Sequence, residues 1–329
     1  MSVSREIHLK TRPVGTPVAG NFEIVETDIT ETGSNEVLVK NLYMSVDPYM
    51  RGQMRFAPEG QVLMGGAVGK VMASNNSAFS VGDYVSNGAG WREYFVSDGQ
   101  GLTIVDASLA PLSAYLGVLG MPGLTAYGGL LVTGELKKGE SVFVSAASGA
   151  VGSVVGQIAK TMDCIVVGSA GSDQKVAQLK DEFGFDHAFN YKTADPLAEL
   201  RKGTPEGIDV YFENVGGLQL EAALTHMRPH VRIPICGMIA HYNDVGEATP
   251  GPRNLTETIY KFITLKGFVV SAFEDLRPQF IKDVSGWIET GQVKYHETVY
   301  EGIDNAVDAF IGLFSGSNNG KMLVKLADD

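Results

Sequence analysis

The chain has few of the residues that staple small folds or anchor them to metals. Of its 329 residues only Cys164 and Cys236 are cysteine, which excludes a disulfide framework and a four-cysteine zinc site. Bases are scarce beside acids, 26 Lys and Arg against 38 Asp and Glu, for a net charge of -12. No Lys/Arg run breaks that balance, so neither nucleic acid nor an anionic membrane surface is an expected partner. Any phosphate-bearing ligand must then be held by a local site. The histidines, His8, His187, His226, His230, His241 and His296, are scattered. His226 and His230 have helical spacing, but Pro229 separates them and "HMRPH" lacks the zincin glutamate, so no metal site is expected. The opening "MSVSREIHLK" has no apolar signal core, which makes cytoplasm the default expectation.

One stretch alone approaches a long hydrophobic run. Between Asp106 and Glu135 no residue is charged, yet Pro111, Pro122 and many glycines interrupt it, and no basic flank follows at once. It reads as buried helices broken at "MPG" and not as a membrane span.

The chain is 44% hydrophobic and 19% charged, and its length suits two globular domains. Up to about residue 120 it reads as short strands with frequent turns, as in "NEVLVKNLYMSV", "GGAVGKVMAS" and "GDYVSNGAGWREYFVS", which suggests an irregular β-barrel or sandwich. Strands and helices then alternate: "SVFVSAA", a helix to Lys160, "CIVVGSA", a helix from Asp173 to Phe183, "HAFNY", "IDVYFENV", a helix from Leu218 to Met227, "RIPICGM" and "LKGFVVSAF". Such alternation implies βαβ units and a parallel sheet, giving an α/β fold class with a doubly wound sheet. The tail, with one amphipathic helix and the strand "KMLVKL", resumes the earlier style and is expected to return to the first domain.

The bend in "VFVSAASGAVGSVVGQIAK", Val142 to Lys160, is built of small residues. As G-x-G-x-x-G its positions are Ala147, Gly149 and Gly152; as A-x-x-G-x-x-G they are Ala146, Gly149 and Gly152. Gly149 lets a diphosphate approach the backbone, Gly152 lets the helix pack closely, and the helix N-terminus offers N–H donors and a positive dipole. Tight turns take glycine for steric reasons alone, so the motif gains its meaning from its place between a strand and a helix.

About twenty residues on, where NAD-binding folds carry an acid for the ribose hydroxyls, stands "VVGSAGSDQK". Gly168, Ser169 and Ala170 are small and uncharged, which leaves room for a 2′-phosphate. Lys175 falls in the first turn of the next helix, where a cation opposes the dipole; a bound phosphate gives it a reason to sit there, and Asp173 offsets part of the penalty. NADP(H) is therefore expected over NAD(H), a solvated helix lysine being the bland alternative. The missing acid also weighs against S-adenosylmethionine. Tyr191, Asn214, "CGMIAHYN" from Cys236 and "SAFE" from Ser271 follow strands and form one rim.

"NLYMSVDPYMRG", "GMPGLTAYGGL", "AASGAVGSVVGQIAK", "AGSDQKV", "FNYK", "FENVGG" and "NNGKMLVKL" closely resemble the zinc-free medium-chain dehydrogenase/reductases of the leukotriene B4 12-hydroxydehydrogenase/prostaglandin reductase type. That branch includes plant alkenal double-bond reductases and bacterial NADPH-dependent curcumin reductases, and "RPVGTPVAGNFEIVE" looks most like the bacterial members. The resemblance covers nearly the whole chain. It implies a GroES-like, β-barrel-type catalytic domain over residues 1–121 and 293–329, a Rossmann NADP(H)-binding domain over residues 122–292, and homodimerisation through the latter. It also implies NADPH-dependent reduction of the C=C bond of α,β-unsaturated ketones and aldehydes. Carried over by motif, Gly149, Ala150, Val151 and Gly152 hold the diphosphate, and Lys175 and Tyr191 the 2′-phosphate. Nicotinamide and ribose contacts come from Thr125, Asn214, Cys236, Gly237, Met238, Ile239, Tyr242, Phe268, Val270 and Asn318. Tyr49, Tyr242 and Phe273 line the substrate pocket. The strand "GFVVSAFE" lacks the "YRW" of prostaglandin-reducing members, so eicosanoid specificity does not transfer.

In that chemistry hydride reaches the β-carbon of the enone, and the enolate oxygen needs a donor until the α-carbon is protonated. By resemblance the donor is Tyr260, a neutral phenol at pH 7, with the cofactor's ribose hydroxyl as rival. Zinc alcohol dehydrogenases share the architecture, but the Cys and His ligands they need are missing from this sequence. Quinone reduction and a non-catalytic dinucleotide-binding role are the alternatives.

Overall fold

A computed structural model describes residues 3–246 and 250–329. The chain divides into two compact units, Val118–His296 on one hand and Met1–Gly117 with Glu297–Asp329 on the other.

The middle unit carries α1 (Met121–Gly128), β1 (Ser141–Val144), α2 (Gly152–Thr161), β2 (Ile165–Ala170), α3 (Asp173–Asp181), β3 (His187–Asn190), α4 (Pro196–Gly203), β4 (Ile208–Phe212), α5 (Gly217–His226), β5 (Met227–Ile235), α6 (Glu257–Tyr260), β6 (Thr264–Gly267) and α7 (Arg277–Glu289). The strands pair in parallel, in the spatial order β3-β2-β1-β4-β5-β6. That is the doubly wound Rossmann order, which reverses between β1 and β4. Every residue of β1 is buried, as a strand covered by helices on both faces must be. Its Phe143 stacks on Tyr211 of β4 at 4.7 Å and on Phe189 of β3 at 6.0 Å, tying three strands into one core.

The uncharged stretch resolves into a short 3-10 turn, Leu112–Leu116, and then α1, which starts at Met121 with Pro122 in its first turn. "MPG" therefore opens a helix and does not break one, because a proline in the first turn gives up no hydrogen bond the helix would have made. Among the described residues no helix is long and apolar enough to cross a membrane. His226 ends α5, while His230 lies in β5 with φ 65, so the helical spacing of the pair has no structural meaning.

The other unit is a β-rich fold of the GroES-like type. One sheet joins Phe22–Asp28, Val3–Leu9 and Gln61–Val62; the larger runs Glu297–Glu301, Lys321–Lys325, Val37–Ser45, Ala67–Ser74, Tyr84–Asn87 and Thr103–Ile104, with Tyr94–Ser97 also on Val37–Ser45. The core is aromatic: Trp91 lies 5.8 Å from Phe310 and 6.5 Å from Phe22, ring centre to ring centre. Phe310 comes from the helix Ala306–Ser315, whose buried Ala306, Ala309 and Phe310 form its apolar stripe.

Candidate functional site

Two strand-to-helix turns meet where the strand order reverses, at the carboxyl ends of β1 and β4, and open α/β sheets hold their ligands there. The first leaves β1 at Ser145 and enters α2 at Gly152. Ala146 takes the left-handed conformation, φ 48, so the sharp bend belongs to Ala146 and not to Ala147. For a residue with a Cβ that conformation costs about 1–2 kcal/mol. The amides of Ala150, Val151 and Gly152 make no hydrogen bond among the described residues. α2 also has no side-chain cap and no acid in its first turn. Open N–H groups at the positive end of a ten-residue helix suit a diphosphate. A Cβ on Gly152 would fall 2.5 Å from Ala146 O and 2.8 Å from Ala147 Cα, so only glycine lets the helix start this close to the bend. A Cβ on Gly149 would meet only Ala146 O, at 3.3 Å, which leaves the space over the turn open.

The second turn, from β4 to α5, is filled by the chain itself. Glu213 has no exposed surface. Its Oε1 accepts from Ser145 Oγ at 3.0 Å, Val215 N at 2.6 Å and Gly216 N at 2.9 Å. Asn214 donates from its backbone to Ser145 Oγ at 2.9 Å and from Nδ2 to Ser145 O at 2.8 Å. The segment after β5 folds onto this turn: Cys236 N and Gly237 N donate to Glu213 O, and Ile239 N to Asn214 O. Met238 sits against Gly216, and the Tyr242 hydroxyl against Gly237. Burial raises the Tyr242 phenol and, helped by Glu213, pushes the Cys236 thiol up to about 12, so the sulfur is no nucleophile at neutral pH.

A third cluster lies at the end of β2. Ser172 caps α3, its Oγ accepting from Lys175 N at 3.3 Å, while Asp173 accepts from Asn190 Nδ2 at 2.8 Å. Over Gly171, where a Cβ would stand 3.2 Å from Tyr191 Oη and 3.5 Å from Lys192 Cε, lie both side chains of "YK". Burial, and then repulsion from Lys192, hold the Lys175 ammonium below its ordinary value. Two ammonium groups near enough to repel each other beside an uncharged strand end suit a phosphate dianion. Lys192 joins the predicted Lys175 and Tyr191 here, and its signal in the sequence is its place directly after Tyr191.

Other predicted residues have structural tasks in view. The Thr125 hydroxyl donates to Met121 O within α1 at 2.7 Å. Phe268 packs on Phe212 and Phe273, and a Cβ on Gly128 or Gly129 would strike Phe273 or Phe268. Phe273 is only 4% exposed, and its ring packs against Gly128 of α1. Val270 is partly buried at the start of the 3-10 segment Val270–Leu276. Tyr49 and Asn318 belong to the β-rich unit. There burial, with Asp47 adding to it, raises the Tyr49 phenol well above its ordinary value, and Asn318 Nδ2 donates to Gly320 O at 2.8 Å.

Tyr260 stands apart. It precedes β6, which runs parallel to β5, and Lys261 beside it binds the carbonyls of Leu224 and Thr225 near the far end of α5. Tyr260 thus lies toward the amino edge of the sheet, separated from the carboxyl end of β6 by that strand's length of about 10 Å. It is 79% exposed. Within one chain it does not join the cluster at the carboxyl edge.

Among the described residues no group of three His, Cys, Asp or Glu side chains is arranged to hold a metal ion. Residues 5–105 match the family described as the N-terminal domain of oxidoreductase, and residues 150–285 the family described as zinc-binding dehydrogenase. A 2-alkenal reductase (NADP(+)-dependent) of Nicotiana tabacum is 46% identical, covering 98% of both chains. The chain belongs to the medium-chain dehydrogenase/reductase family, in its zinc-free branch. Prostaglandin reductase 1 of Rattus norvegicus, 46% identical over 96% of this chain and 97% of its own, is a further medium-chain relative. The crystal structure of CurA from Vibrio vulnificus in complex with NADPH superposes with a TM-score of 0.93 at 41% identity, covering 99% of this chain and 100% of that one. The medium-chain fold accounts for both units described above.

Proposed function

We propose that this protein is an NADPH-dependent reductase of the C=C bond of α,β-unsaturated ketones and aldehydes. The observation that carries the reading is the pairing, along one sheet edge, of a helix N-terminus with open amides and a strand end bearing Lys175, Tyr191 and Lys192. The first suits a diphosphate and the second a 2′-phosphate. Relatives named as NADP-dependent 2-alkenal reductase and prostaglandin reductase, and one solved with NADPH, support it. When bound, the cofactor supplies hydride for the β-carbon. The chain's own part is to grip the diphosphate at Gly149–Gly152, to neutralise the 2′-phosphate at Lys175, and to keep the Asn214 turn rigid beside them.

The protein works as a cytoplasmic homodimer on this reading. Among the described residues β6 is one of the two edge strands of the sheet, β3 being the other, and Ile259, Phe262 and Val269 around β6 are exposed. Joining two such edges about a twofold axis, antiparallel, sets the amino end of one β6 beside the carboxyl end of the other. Tyr260 then reaches the partner's cofactor edge, which reconciles its role as proton donor with its place in the fold. Consumption of NADPH with a simple enone, with a quinone and with no acceptor tests the assignment. Turnover of the enone is expected. A strong preference for the quinone, or activity with an alcohol and NADP+, overturns it.

A further inference from the structure

We infer that Glu213 is a positioning residue for the nicotinamide end of the cofactor, acting through Ser145 and Asn214; the inference rests on the NADPH-dependent reading above. Glu213 joins three strand ends. Its backbone N donates to Pro234 O at 3.0 Å and its carbonyl accepts from Cys236 N at 2.9 Å and Gly237 N at 3.1 Å, which fastens β4 to the end of β5. Its carboxylate reaches Ser145 at the end of β1 and, at the same oxygen, the two amides that open α5. Ser145 passes the constraint on: its Oγ donates to Glu213 and accepts from Asn214 N, and its carbonyl accepts from Asn214 Nδ2. The Asn214 amide is thereby fixed in orientation, leaving Oδ1 as its acceptor for a ligand hydroxyl or amide. The left-handed Gly216 and Gly217, φ 80 and 56, complete a turn that the carboxylate holds shut.

A carboxylate is an expensive way to close a turn. Burial raises the Glu213 carboxyl against the pull of the two amides, and its Oε2 is buried without a hydrogen-bond partner. The buried Tyr211 hydroxyl likewise makes no well-formed hydrogen bond, although Glu213 and Ser145 lie close enough to act on its proton. A serine or asparagine side chain would cap the helix at lower cost. What the carboxylate adds is three simultaneous bonds from one oxygen, which lock the ends of β1 and β4 at fixed separation where a flat ring must be aligned.

The test uses two ligands that share the adenosine 2′- and 5′-phosphates, of which only NADPH carries the second phosphate of the diphosphate and the nicotinamide riboside. NADPH and 2′,5′-ADP are titrated by calorimetry into the full-length wild type, Glu213→Gln, Ser145→Ala and the double variant. Glutamine keeps the shape but accepts more weakly and sets an NH2 beside the Tyr211 hydroxyl; alanine at 145 removes the relay and keeps the carboxylate on its two amides. Each single variant is expected to weaken NADPH about tenfold and 2′,5′-ADP by less than about twofold, as for one lost bond to a charged group. The double variant should lose little more than either single one, since both cut the same chain of bonds. Equal weakening of both ligands would mark Glu213 as merely structural and overturn the inference, as would unchanged NADPH binding. If Glu213→Gln does not fold, Ser145→Ala decides by the same two-ligand comparison. A wild type that binds neither ligand defeats the NADPH reading itself; a wild type that binds both, beside variants that treat them alike, defeats only the role of Glu213.

Discussion

The turns after β1 and β4 share a backbone plan, a buried parallel strand passing through small residues into a helix, and differ in what meets the helix end. After β1 the amides of Ala150, Val151 and Gly152 are open. After β4 the amides of Val215 and Gly216 are already bound by Glu213. Both turns contain glycine, so glycine content alone does not make an anion site. A turn accepts an anion when no side chain of its own has reached the amides first.

The contrast breaks most sharply at Gly152. We predict that Gly152→Ala, with backbone atoms 2.5 and 2.8 Å from the new Cβ, destabilises the protein by about 1–3 kcal/mol and removes most NADPH binding. Thermal melting and calorimetry read both; an unchanged Tm with intact binding would mean that the bend has slack. Lys175→Ala comes next. Loss of one charge-assisted contact, about 1.5–3 kcal/mol, should raise the Kd for NADPH about 10- to 100-fold and leave NADH alone. Equal effects on the two cofactors would remove Lys175 from the phosphate site.

The same lysine predicts a pH dependence. Burial and Lys192 depress the Lys175 ammonium before cofactor binds, and a bound phosphate restores it, so binding takes up protons on the alkaline side. NADPH affinity should be full below the depressed pKa and fall as pH rises through it, before the ordinary lysine range is reached. In Lys192→Ala the fall should move to higher pH, and an unmoved profile would show that the two cations do not share a site.

The smallest effects separate the two turns from each other. Gly216→Ala, at φ 80, should lose about 1–2 kcal/mol of stability. Gly149→Ala, with one neighbour at 3.3 Å, should stay within about 0.5 kcal/mol in the free protein yet weaken the cofactor, because the methyl enters the space over the bend. Chemical denaturation beside NADPH titration distinguishes these. A Gly149 variant that binds normally would place the diphosphate elsewhere.

The alternation of strands and helices was legible because the central strands Ser141–Val144 and Ile165–Ala170 are largely apolar runs, and the helix start at Asp173 because Ser172 caps it. The order of the strands was not, since it is set by contacts between residues far apart in sequence. Glu213 escaped notice within "IDVYFENVGG" because a charged residue ordinarily signals surface, and its burial depends on donors supplied by Ser145, 68 positions away. Tyr260 carried a family role in its motif, but only the direction of β6 revealed which edge of the sheet it occupies.

The strand Lys321–Lys325 fills the gap between Glu297–Glu301 and the Tyr43–Ser45 stretch of Val37–Ser45. On the ribosome, every strand of the parallel sheet is available once Gly267 has emerged, whereas the β-rich unit waits for Lys321–Lys325, translated after it. Its early strands must sit through that interval with hydrogen-bonding groups unsatisfied, exposed to mispairing with other nascent chains. Synthesis therefore finishes this molecule from the middle of its sequence outward.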